Sequence, residues 1–160
     1  MVSDVRVRQL RPEEGLLAAA LHVQSLRAAG RTAPPGHLDR FASAWGRQRA
    51  TLPTWVAEHD GTHAGVVMVQ LPAPLPADLL GPQWARVVLL YAVPSGPVER
   101  ATHALLQTAT RWLRSDEGVA VAAGTPGLEL VEGIRVPAAT LDSLGARVEE
   151  PRRVRLPAGR

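Results

Sequence analysis

The chain has 160 residues, 46% of them hydrophobic, with a formal net charge of +3 and no cysteine. The missing cysteine excludes a disulfide framework, a thiolate nucleophile, Cys-ligated zinc and an iron–sulfur cluster. All 18 basic residues are Arg, and without Lys there is no Schiff-base chemistry and no phosphate-loop lysine, which argues against pyridoxal enzymes and P-loop nucleoside triphosphatases.

The pI near 10.8 reports how little titrates between His and Arg, so it is not a nucleic-acid signature. The length fits a single domain over residues 1–160, and a chain of this size buries roughly 70% of its unfolded surface. No apolar run approaches about 18 residues, and the Met1 end lacks a basic flank followed by an apolar run; a soluble, cytoplasmic chain with no membrane partner is expected.

In chain order, Val5 and Val7 alternate with arginines as in a half-buried strand, and Pro12-Glu13-Glu14 opens a helix that Ala29-Gly30 stops. After Pro34-Pro35-Gly36 comes a second helix with Leu38, Phe41, Ala42, Trp45 and Arg49 on one stripe. Thr54–Glu58, His59-Asp60-Gly61 and Thr62–Leu71 predict a hairpin, because Asp-Gly supplies the positive φ angles of a tight turn. Its second arm is apolar on both faces, as a central covered strand is. Pro72–Pro82 reads as a loop and Trp84–Val93 as a strand.

Pro94-Ser95-Gly96-Pro97 introduces a helix with Val98, Ala101, Ala104, Leu105, Ala109, Trp112 and Leu113 on one face, closed by Gly118. Val119–Ala123 reads as a short buried strand, so strand, helix and strand form a right-handed parallel crossover. A short helix follows over 137–144, stopped by Gly145, and Val154 and Leu156 alternate with arginines as a final edge strand. The fold class expected is mixed α/β: a mostly antiparallel central sheet, helices on both faces, and one parallel crossover at its centre.

This order of elements resembles the GNAT superfamily of N-acetyltransferases. The likeness is carried by Thr54–Leu71, similar to that family's hairpin, by Val87–Gly118, similar to its acetyl-CoA-binding strand, loop and helix, and by Ala138–Arg147, similar to its last helix. The resemblance implies an acyltransferase that uses acetyl-CoA, or a related acyl-CoA, as donor to a small-molecule or peptide amine by direct transfer. It further implies that the pantetheine arm lies along Leu90, Tyr91 and Ala92 and the diphosphate on Val98, Glu99, Arg100, Ala101, Thr102 and His103. Independently of the family, a helix N-terminus at Val98–His103 suits an anion.

The chain departs from the family at several positions. Pro97, Arg100 and Thr102 stand where the loop pattern Arg/Gln-x-x-Gly-x-Gly/Ala has its marked residues. Side chains in the glycine places narrow a phosphate cradle, while the Arg100 guanidinium suits a phosphate. Leu141 occupies the place of the family's tyrosine acid, Ala146 that of an aromatic, and the strand Trp84–Val93 has no carboxylate. The catalytic residues therefore stay unassigned, with water, Tyr91, Glu58 or His103 as sources of a base. The rival expectation is a non-catalytic module of the same fold, used for partner binding or dimerisation.

Other candidates have plainer readings. His59 and His63 flank a turn without the further ligands a zinc site requires, so no metal is expected. His103 suits a polar helix face as well as a phosphate. Glu13 and Glu14 suit a helix start, and Glu149 and Glu150 a solvated turn. No serine sits in a nucleophile elbow. Trp45, Trp55, Trp84 and Trp112 read as core or pocket wall. The arginine-rich end from Arg147 to Arg160 reads as a solubilising edge, and nucleic acid is not an expected partner. Neither the acceptor nor the oligomeric state is legible.

Overall fold

The computed structural model describes residues 4–73, 83–122 and 124–146. Its sheet follows chain order: β1 (Arg6–Gln9), β2 (Thr54–His59), β3 (Thr62–Gln70), β4 (Ala85–Ala92) and β5 (Leu128–Leu130). The first four strands pair antiparallel, and β4 pairs parallel to β5. The helices are α1 (Gly15–Ala28), α2 (His37–Gln48), α3 (Val98–Leu113), α4 (Asp116–Val121) and α5 (Ala138–Ser143), with a 3-10 turn at Arg49–Thr51. This is the mixed α/β class the sequence predicts. Among the described residues no helix is long and apolar enough to cross a membrane.

Because successive strand side chains point to opposite faces, the apolar hairpin arms feed two cores at once. On one face Trp55, Ala57, Ala64, Val67, Val69 and Val87 meet Ala101, Leu105, Leu106 and Ala109 of α3. On the other, Val56, Val66, Met68 and Leu89 meet Ala18 and Leu21 of α1 and Trp45 of α2. β3 is therefore the central covered strand its composition demands. Asp60 (φ 50°) and Gly61 (φ 73°) make the predicted turn.

Close approaches fix the layers. A Cβ on Gly65 would lie 2.6 Å from the Tyr91 carbonyl oxygen and 3.2 Å from Leu105 Cδ1. The absent side chain lets α3 rest on the β3–β4 pair. The buried Trp45 Nε1 donates to Thr54 Oγ1 at 3.0 Å, which ties α2 to the start of β2.

Two sequence expectations are corrected. Gly118 does not close α3; the helix ends at Leu113 and Ser115 caps α4, its Oγ accepting the Gly118 N–H at 3.2 Å with Asp116 and Glu117 in the first turn. This is an ordinary N-cap arrangement. Consequently Val119–Ala123 is no buried strand: Val119 and Val121 lie on α4, about half exposed at 51% and 53%. The crossover ends instead at β5, whose parallel pairing to β4 preserves the strand–helix–strand arrangement. Residues 74–82 of the expected loop Pro72–Pro82, and the whole Arg147–Arg160 end with its expected edge strand and with Glu149 and Glu150, lie outside the described residues.

Candidate functional site

The site begins with an interruption in β4. Met68 pairs with Leu89 but Val69 pairs with Val87, so Val88 is an extra residue in β4 at a bulge. Bulges end or redirect pairing. The parallel register with β5 runs only from Ala85↔Leu128 to Val87↔Leu130. One more bond follows, Val131 N–H to Val87 O at 3.4 Å, before the chain turns away through Gly133 (φ 93°). Past Val88, no described strand covers this edge of β4.

The directions of the backbone groups follow from the ladder. Val93 N–H donates to Ala64 O at 2.8 Å, so Val93, Tyr91 and Leu89 turn their polar groups to β3. By alternation, Leu90 and Ala92 turn their N–H and C=O groups to the open edge. Their side chains pack on the α3 face, whereas that of Tyr91 packs on the α1/α2 face.

The strand runs directly into the start of α3. Pro97 has no N–H, the Val98 N–H bonds Gly96 O at 2.9 Å, and the first regular helix bond joins Ala101 N–H to Pro97 O at 2.8 Å. The proline turn thus presents fewer donors than an ordinary helix mouth, and the Glu99 N–H points out of it without a backbone acceptor. Beside it, Glu99, Arg100, His103 and Ala104 face Ala139, Thr140 and Ser143 of α5, with Asp4, across a groove of about 370 Å³.

Of the nine residues implied by the resemblance, the structure gathers Glu99, Arg100 and His103 along this groove and sets Leu90 and Ala92 on the open edge of β4. Ala101 and Thr102 do not line it: at 0% and 5% exposure their side chains point into the core. Thr102 in a glycine place therefore leaves the cradle unnarrowed, and only the exposed Arg100 stands at its rim. Val98, 38% exposed, lies at the mouth of the helix. Sequence reasoning missed the Val88 bulge, Asp4 and the α5 wall, for which no local pattern gives a signal.

The remaining candidates have structural surroundings. Glu14 caps the approach to α1: Arg8 donates to both of its carboxylate oxygens at 2.8 and 2.9 Å, and the Arg11 N–H adds a third bond at 2.8 Å. Those hydrogen bonds, Arg8 first, outweigh burial and hold the carboxyl at about 2. The Arg8 Nε donates to Glu58 at 2.8 Å, so Glu58 is engaged at the far side of the sheet from β5. His59 pairs with Asp60 at 3.3 Å. Among the described residues no three His, Asp or Glu side chains group in a way that could hold a metal ion. Trp45 and Trp55 are core at 2% and 3% exposure, and the half-buried Trp112 meets Trp55 edge to face at 5.4 Å. Trp84 is 47% exposed and covers Gly127. It walls a second cavity of about 390 Å³ with Gln70, Arg86 and Glu129 at the other end of β4.

No family model matches the chain, and no curated protein matches it by sequence. Solved structures match it in fold. It is similar to a "probable acetyltransferase" (18% identity, 97% of this chain and 99% of that one, TM-score 0.72). It is also similar to a "predicted acetyltransferase with acetyl-CoA" of Clostridium acetobutylicum (12%, 96% of each chain, 0.68). A GCN5-related N-acetyltransferase of Ralstonia eutropha matches at 20% identity over 96% of this chain and 98% of that one, with TM-score 0.60. The chain shares its fold with these three structures.

Proposed function

We propose that this chain, built on the GNAT acetyltransferase fold, is an acyl-CoA-dependent N-acyltransferase that passes an acetyl or related acyl group directly to the amine of a small molecule or peptide. The observation that carries the reading is the parting of β4 from β5 after Val87, which leaves the Leu90 and Ala92 backbone groups open beside the start of α3. An edge of this kind accepts an extended, amide-bearing arm as it would a further strand. Arg100 and His103 at the helix mouth suit a diphosphate. These residues fit coenzyme A, whose thioester would supply the activated acyl group.

The chain's own contribution is binding and alignment. β4 carries no carboxylate, and Leu141, which lies on α5, cannot move a proton. Rate enhancement then comes from holding acyl donor and amine together, an effect that reaches about 7–11 kcal/mol in well-aligned systems. The amine must react uncharged, because an ammonium has no lone pair with which to attack the thioester. The missing acid and the Pro97 helix mouth also favour a second reading, a non-catalytic module of the same fold that serves partner binding or dimerisation.

One experiment separates these outcomes: incubation with acetyl-CoA and a panel of primary amines, with release of the free thiol followed beside direct binding. Turnover supports the acyltransferase. Absence of binding, or saturable binding without release in any pairing, would overturn the acyltransferase and leave the second reading.

A further inference from the structure

The α1–α2 hairpin, which covers the Tyr91 face of β4, contains a histidine pair that the acyl-transfer reading does not use. His22 Nδ1 lies 2.9 Å from His37 Nε2, a hydrogen bond between one residue in the middle of α1 and the first residue of α2. The rings stand 5.0 Å apart and tilted, and His22 also stacks on Phe41 at 4.8 Å with an interplanar angle of 26°. Phe41 packs in turn on the cluster that contains Leu21, Leu89 and Tyr91.

The pair is an internal proton counter. A hydrogen bond between two imidazole nitrogens needs one donor and one acceptor, so at least one ring must be neutral. When both rings are protonated, two donors and two positive charges face each other at that distance. We propose that this pair is a proton-operated latch: neutral or singly protonated it ties α1 to α2, and uptake of the second proton turns the tie into a repulsion that loosens the hairpin from the sheet.

The surroundings give the latch its direction. His22 titrates below its ordinary value, chiefly because burial penalises the cation and then because His37 and Arg31 lie near. The charged groups beside the pair are Arg31 from the intervening loop, which acts on His22, and Asp39 and Arg40 on the first turn of α2, where Arg40 reaches back to Gly36. Among the hydrophobic residues of the cluster beneath, Tyr91 is ionisable, and the charges that act on His22 are those of His37 and Arg31. With the folded value depressed, the latch is fully effective above the unfolded His value near 6.5 and weakens as pH falls below it.

The test needs no acyl-CoA, so it stands or falls apart from the proposed function. Hydrogen exchange of the native protein at pH 7.5 and pH 5.5, corrected for intrinsic rates, should show protection lost in residues 15–48 and retained in α3. His22→Gln keeps a hydrogen-bonding side chain but cannot be charged, and it should remove most of that difference. Uniform behaviour of α1, α2 and α3, or an unchanged pH response in His22→Gln, would overturn the latch. A wild-type histidine NMR titration serves if the variant does not fold. The second proton should bind more weakly than to an isolated imidazole, because two charges then face each other; two independent titrations at the ordinary value would overturn the proposal.

Discussion

Gly65→Ala probes the contact that holds β3, β4 and α3 together beside the open edge. The added Cβ would lie 2.6 Å from Tyr91 O, 3.2 Å from Ala92 Cα and 3.2 Å from Leu105 Cδ1. Two of these neighbours are backbone, and ordinary contact begins at 3.4 Å, so the strand must move by about 0.8 Å or more, a case of overpacking that costs roughly 1–3 kcal/mol. The smaller conformational freedom of Ala in the unfolded chain returns roughly 0.4–1 kcal/mol. A net loss of about 1–2 kcal/mol should lower Tm by about 2–8 °C for a chain of this size. Thermal and urea unfolding measure the loss. Because the displaced atoms belong to Tyr91 and Ala92, acetyl-CoA binding should weaken more than the stability change alone explains. An unchanged or raised Tm would refute the reasoning.

Three further outcomes follow from the same geometry. Ala92→Pro removes an N–H aimed at the open edge while sparing the β3–β4 hydrogen bonds, because the Gly65–Ala92 pair exchanges none; acetyl-CoA affinity should fall at least about tenfold with the fold retained by circular dichroism, and unaltered affinity would show that the edge is not the binding strand. Arg100→Ala should weaken acetyl-CoA binding about five- to tenfold if the guanidinium meets the diphosphate, and an unchanged calorimetric titration would remove it from the site. Glu14→Gln should cost about 1–2 kcal/mol at neutral pH, discounted for partial exposure. Since the folded carboxyl sits at about 2 against an ordinary 4.5, the wild-type advantage should be full above pH 4.5 and fade as pH falls toward 2; a pH-independent difference in urea midpoints would contradict that assignment.

The elements that were legible in the sequence are those with a local physical cause. Asp60-Gly61 announces its turn because few other pairs tolerate two positive φ angles, and the apolar run Gly65–Val69 announces a strand covered on both faces. The misreading at Val119 has an equally local cause. A short apolar stretch fits either a strand or a helix, and the decisive signal was Ser115 followed by Asp116 and Glu117, a helix cap that outranks the valines. The site was half legible. Leu90, Ala92 and the start of α3 followed from the resemblance, but the Val88 bulge depends on how β3 and β5 share one strand, and nothing in Val87-Val88-Leu89-Leu90 marks it. The facing of Thr102 into the core and the wall supplied by α5 are likewise products of packing between distant segments. The His22–His37 bond joins residues 15 apart whose meeting depends on the α1–α2 crossing.

The central claim is that the gap beyond Val87, joined to the mouth of α3, is a coenzyme A site. Calorimetric titration of the intact protein with acetyl-CoA tests it most directly. Saturable binding is expected at one site per chain, with a Kd below the millimolar range and a matching rise in Tm with ligand concentration. No heat and no Tm shift at millimolar acetyl-CoA would contradict it.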